Sequence, residues 1–167
     1  MHRWTAEGLR MLRPADEHAR DCERAGAYRC HRVEHETHSA EDAHEAARNY
    51  FAGGHIDKGG KVAGALLQFM EGRGKTLEVL VLAGEFLGTV PETSPFFSGL
   101  LDFEAQAYLS LGSTDLAKQR YERLLGEHEE RAKREPARTD YQRDLWVSYN
   151  NMGDLYVSLG DGGAARE

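Results

Sequence analysis

Two cysteines and four prolines in 167 residues leave little to staple or interrupt this chain. Cys22 and Cys30 are too few for the disulfide framework of a small secreted domain. On one helix their eight-residue separation would put them about 12 Å apart along the axis, too far to bridge. A reduced, cytoplasmic setting is therefore expected. No apolar run approaches the ~20 residues of a membrane-spanning helix. The stretch around Trp4 and Glu7 carries arginines without an apolar segment, so no signal peptide is expected there. Positive charge is also scarce: 21 Lys and Arg face 28 Asp and Glu, a net charge of −7. That argues against sequence-independent nucleic-acid binding, which needs a basic surface. Aromatic residues are 9% of the chain, yet 40% of it is hydrophobic, enough for a real core at this length.

Helical signals run the length of the sequence. Trp4, Leu9 and Leu12 have helical spacing up to Pro14, and Ala15 to about Glu36 reads as a highly charged helix with few apolar anchors. Ser39-x-x-Asp42 resembles a capping box and opens a short helix to about Phe51, closed by Gly53-Gly54. Residues 53–88 hold nine of the 18 glycines. Their apolar positions, from Val62 to Met70 and from Leu77 to Phe86, suit two helices around a Gly72–Gly74 turn, although Leu77–Leu82 alone could be a buried strand. Ser94-Pro95 suggests an N-cap followed by proline. Ser113 caps the next helix, Pro136 stops it, and Thr139-Asp-Tyr-Gln142 reads as a second capping box.

The end of the chain repeats itself. Tyr108-Leu-Ser-Leu-Gly112 matches Tyr156-Val-Ser-Leu-Gly160, and Ala105, Tyr108, Gly112 and Ala117 fall on Gly153, Tyr156, Gly160 and Ala165 at a constant offset of 48. Leu101 and Tyr149 take the large-residue slot, and Tyr121 follows Ala117 by four. These positions resemble the tetratricopeptide repeat, and residues 134–160 are similar to bacterial members with an enlarged spacing. The usual period is about 34 residues, and Glu104 stands where the pattern has Leu. A second helix extended from Thr114 to about Glu135 accounts for the longer period. The resemblance covers residues 95–167, and 53–88 reads as a degenerate earlier repeat. It implies an all-α array of antiparallel helix pairs over 53–167, preceded by irregular charged helices over 1–52. It also implies a protein-binding scaffold without catalysis or cofactor. Asp102, Gln106, Asn150 and Asp154 would face the partner groove. Asn150 and Asn151 come without the Lys or Arg of repeats that clamp a C-terminal carboxylate, so a basic or neutral peptide is expected. The last helix carries Leu145, Tyr149, Met152, Leu155, Tyr156 and Leu159. Its face would be covered by a second copy (the first expectation), by the N-terminal helices, or by a partner.

One motif points elsewhere. His31-Arg-Val-Glu-His35 matches the H-x-x-E-H pattern of inverted zinc peptidases, in which His31 and His35 would grip zinc and Glu34 would act as base. Those enzymes are far larger and need a distant third ligand, so a solvated helix face is expected and a metal-binding protein or zinc hydrolase is the alternative. Gly72-Arg-Gly-Lys-Thr76 lacks the first glycine of a phosphate loop, since position 69 is Phe. A helix–helix turn is expected there.

Overall fold

The computed structural model describes residues 14–160, which form seven α-helices and no strand. They are α1 (Ala15–Arg32), α2 (Ala40–Ala52), α3 (Ile56–Glu71), α4 (Thr76–Leu87), α5 (Phe97–Ser110), α6 (Thr114–Arg134) and α7 (Thr139–Ser158). A π-helical turn, Val33–Thr37, extends α1. Leu77–Leu82 lies within α4, which removes the strand alternative. The segment Trp4–Leu12 and Ala165 lie outside the described residues. Two compact units divide between Phe69 and Met70, inside the last turn of α3.

In the first unit, α1 starts on Pro14 with Asp16 and Glu17 in its first turn and ends on Arg29, His31 and Arg32, charges that complement the helix dipole. It packs tightly on α2 at Gly26, where a Cβ would meet the Tyr50 ring at 2.9 Å. The ring of Phe51 occupies the matching space at Gly59 of α3, 2.6 Å from where a Cβ would stand. His55 Nε2 lies 3.2 Å from the Ala19 carbonyl oxygen. Lys58 Nζ donates to Glu23 Oε1 at 2.5 Å. The link between α1 and α2 is built around Asp42. Ser39 Oγ accepts from the Glu41 and Asp42 amides. The other half of the expected capping box is replaced: the Ser39 amide donates to Thr37 Oγ1. Asp42, buried, instead takes hydrogen bonds from Arg29 and from Thr37 Oγ1 (2.8 Å), with Arg32 Nη2 at 3.4 Å.

In the second unit α4 packs on α5, α5 on α6 and α6 on α7. Val79, Ala83 and Phe86 of α4 are buried, as are Leu100, Leu101 and Ala105 of α5, Ala117, Tyr121 and Leu124 of α6, and Met152 and Leu155 of α7. Glu104 is buried too, and receives a 2.6 Å hydrogen bond from Arg120 Nε of α6. A charge-assisted pair is thus held between α5 and α6.

The short turns share one geometry. Gly54, Gly74 and Gly112 have φ of 74°, 71° and 77°. In each turn the glycine amide donates to the carbonyl three residues back, and the next amide donates to the carbonyl five back, as in Gly112 to Leu109 and Ser113 to Tyr108. This closing motif caps the carbonyls of a finished helix and reverses the chain. Gly160, with φ 76°, donates to Val157 and ends α7 as Gly112 ends α5. α6 runs to Arg134 and stops before Pro136, as its length in the sequence predicts. Three helix starts differ from expectation. Ser113 stands at the N-cap of α6, but its side chain makes no capping hydrogen bond. Ser94 Oγ accepts from the Phe96 amide in a turn ahead of α5, which begins only at Phe97. At α7 the Thr139 box does not form. Thr139 is already helical, and Arg138 donates to both Asp140 oxygens, at 2.9 and 2.6 Å.

Candidate functional site

The expected partner groove draws on α5 and α7, one helical pair apart. Asp102 and Gln106 are one turn apart on α5, half-buried, and joined by a 2.9 Å bond from Gln106 Nε2. Asn151 of α7 reaches across and donates to Asp102 Oδ1 at 2.9 Å. Its neighbour Asn150 is exposed, as is Asp154. Spacing alone did not tell the two asparagines apart; the phase of α7 against α6 turns Asn151 toward α5. Burial raises the Asp102 carboxyl above its ordinary range, the two amide donors oppose that, and Glu71 adds to it. Burial also raises the Tyr121 phenol, helped by Asp102, Asp154 and Glu71. The region around Tyr121 is therefore electronegative.

The repeat positions divide by depth. Ala105, Ala117 and Tyr121 are buried, while Tyr108, Gly153 and Tyr156 are half-buried. Lys118 Nζ lies 5.5 Å from the Tyr156 ring centroid, a cation–π contact between α6 and α7. Tyr149 differs from its counterpart Leu101. Leu101 is buried, whereas Tyr149 is exposed and its hydroxyl donates to Glu129 Oε1 at 2.8 Å. Trp146 and Val157 are exposed on the same helix at 66% and 64%. Trp146, Tyr149 and Val157 thus form an apolar stripe on the side of α7 turned from its buried Ser148, Met152 and Leu155.

His31 and His35 lie side by side, ring centroids 4.6 Å apart, both exposed. Glu34 Oε2 is 3.7 Å from His35 Nε2, and Glu36 Oε1 is 4.0 Å from His31 Nδ1. Among the described residues no group of three His, Cys, Asp or Glu side chains is gathered to hold a metal ion. Cys22 and Cys30 form no disulfide.

The first unit also carries a feature that the sequence did not reveal, an open cavity of about 450 Å³. Cys30, Val33 and Glu34 form one wall, and His38 and Ser39 of the link close one end. Ala40 and Ala43 of α2 and Val62, Ala65, Leu66 and Phe69 of α3 supply most of the remaining surface, with Lys61. Two irregularities shape it: the π turn carries Val33 and Glu34, and His38 sits in the left-handed region at φ 48°. π turns and left-handed non-glycine residues concentrate at functional sites. The Cys30 thiol and the Tyr50 hydroxyl are hydrogen-bonded; burial pushes the thiol up and raises the phenol to about 12.

No family model matches this chain, and no curated protein or solved structure is significantly similar to it.

Proposed function

We propose that the second unit is a protein-interaction scaffold of the tetratricopeptide type, taking a basic or neutral peptide against α5 and α7. The observation that carries this reading is the Asn151–Asp102 bond, which ties the first helix of one pair to the first helix of the next. The paired glycine turns at 112 and 160 support the same repeat register. Asp102, Asp154 and Glu71 around Tyr121 favour a positively charged segment, because complementary potential steers association and rejects acidic competitors. No catalysis is part of this reading. The stripe of Trp146, Tyr149 and Val157 is assigned to a second contact. A second copy of the chain is the occupant we favour, because an isologous interface needs no other component.

Selection of a displayed random-peptide library on the immobilised protein tests the groove. Enriched Lys- and Arg-containing peptides that compete with one another and lose affinity in the Asp102→Asn/Asp154→Asn variant are expected. Failure to enrich any sequence, or binding indifferent to that variant, would reject it.

A further inference from the structure

We propose that the cavity of the first unit is a binding slot for a small amphipathic acid, an unbranched apolar chain with one carboxylate, whose head group is met by Lys61. Short links make α1 and α3 run in the same direction on either side of α2. The contacts of Ala19 with His55 and of Glu23 with Lys58 fix their register. Lys61, three residues beyond Lys58, comes level with the stretch leading to Cys30. Phe69, eight residues further, comes level with the π turn. The slot is therefore about 12 Å long. A hydrocarbon chain fits, and the volume lies within the range of small-ligand pockets.

The two ends differ chemically. Lys61 has no ion-pair partner among the described residues, although Lys58 one turn earlier is held by Glu23. Cys30, level with Ala65 in the same register, lies midway along the slot, its thiol hydrogen-bonded to Tyr50. Between the ends the α3 wall is Val62, Ala65 and Leu66. At the far end Glu34 would repel a second carboxylate, so a monoacid with its tail toward Phe69 is favoured over a diacid. The π turn and the left-handed His38, anchored through Asp42 to Arg29, Arg32 and Thr37, hold the far wall open where a regular helix would alter the spacing. The inference is independent of the peptide groove, which lies in the other unit.

Calorimetric titration of the full chain with hexanoate, octanoate and decanoate tests this, together with mass-spectrometric mapping of Cys30 alkylation. Affinity should rise about fourfold per methylene until the slot is full, and Cys30 should be protected in the same order. Lys61→Gln should weaken decanoate and leave decanol unchanged. Ala65→Trp, at an exposed wall position, should abolish binding of both. The proposal is overturned if no acid binds saturably, if Ala65→Trp leaves binding intact, or if Lys61→Gln weakens the acid and the alcohol equally. An amphipathic helical peptide that protects Cys30 where the acids do not would overturn it as well. Should Ala65→Trp fail to fold by circular dichroism, Cys30 protection in the unaltered protein decides: none at saturating decanoate sinks the slot.

Discussion

A glycine's worth here depends on one dihedral angle. At both Gly112 and Gly126 an added Cβ meets nothing within 4 Å. Gly112 has φ of 77° and closes α5, whereas Gly126 lies inside α6 with ordinary helical backbone. Gly112→Ala should therefore destabilise by about 1 kcal/mol, the cost of the left-handed region to an L-residue. Gly126→Ala should stabilise by roughly 0.5–1 kcal/mol, since glycine is a poor helix interior residue. Chemical denaturation of the two variants checks the opposite signs; equal effects would contradict the turn geometry. At His31 and His35 the expectation concerns metal. Two exposed rings with no third ligand gathered beside them among the described residues bind zinc weakly. Protein purified without added metal should carry far less than one equivalent of zinc by elemental analysis. A full equivalent lost in a His31→Ala/His35→Ala variant would promote the metalloprotein alternative.

Between elements, buried polar contacts fix the packing and couple it to pH. Arg29 first, and Thr37 next, hold the Asp42 carboxyl below its usual range, so its contribution to stability is complete above the unfolded value of about 4. It is lost as pH falls through the folded value. Thermal melts should show a steeper acid decline below about pH 4 in the native protein than in Asp42→Asn. His128 acts in a higher window. Its Nδ1 lies 2.7 Å from Ser148 Oγ of α7, and burial lowers its pKa, so the folded state keeps it neutral. As pH falls through the unfolded value of about 6.5 the unfolded chain takes the proton first, and stability falls until pH has passed the lowered folded value. His128→Gln should flatten the melting curve between about pH 7 and pH 5; an unchanged slope would mean the ring is solvated.

For the molecule as a whole, one unanswered apolar surface is the outer side of α7; Leu77 and Val81 of α4 are exposed as well. An exposed tryptophan, a tyrosine and a valine along one helix are the residues that anchor interfaces. Sedimentation at micromolar concentration should show a dimer, and Trp146→Lys should return it to monomer with its fold intact. A monomeric native protein at that concentration would remove the second copy and leave an external partner for this stripe. Among the described residues no helix is long and apolar enough to cross a membrane.

Local chemistry in the sequence was enough to set the helices. Glycines 54, 74 and 112 mark where helices must end because the closing turn needs positive φ, and Pro136 marks the end of α6 because it cannot donate to the preceding carbonyls. The resemblance to a repeat pattern then pointed to several positions that are buried, such as Leu101, Ala105 and Met152. Tertiary structure decided whatever depends on the partner across an interface. Asn151 rather than Asn150 bonds Asp102, Glu104 is buried because Arg120 answers it, and Asp42 turns from its own helix cap to Arg29. The cavity belongs to the same class. No motif encodes it, because an empty volume is set by how three helices and a π turn fail to fill the space between them, a property of their relative placement rather than of any one segment.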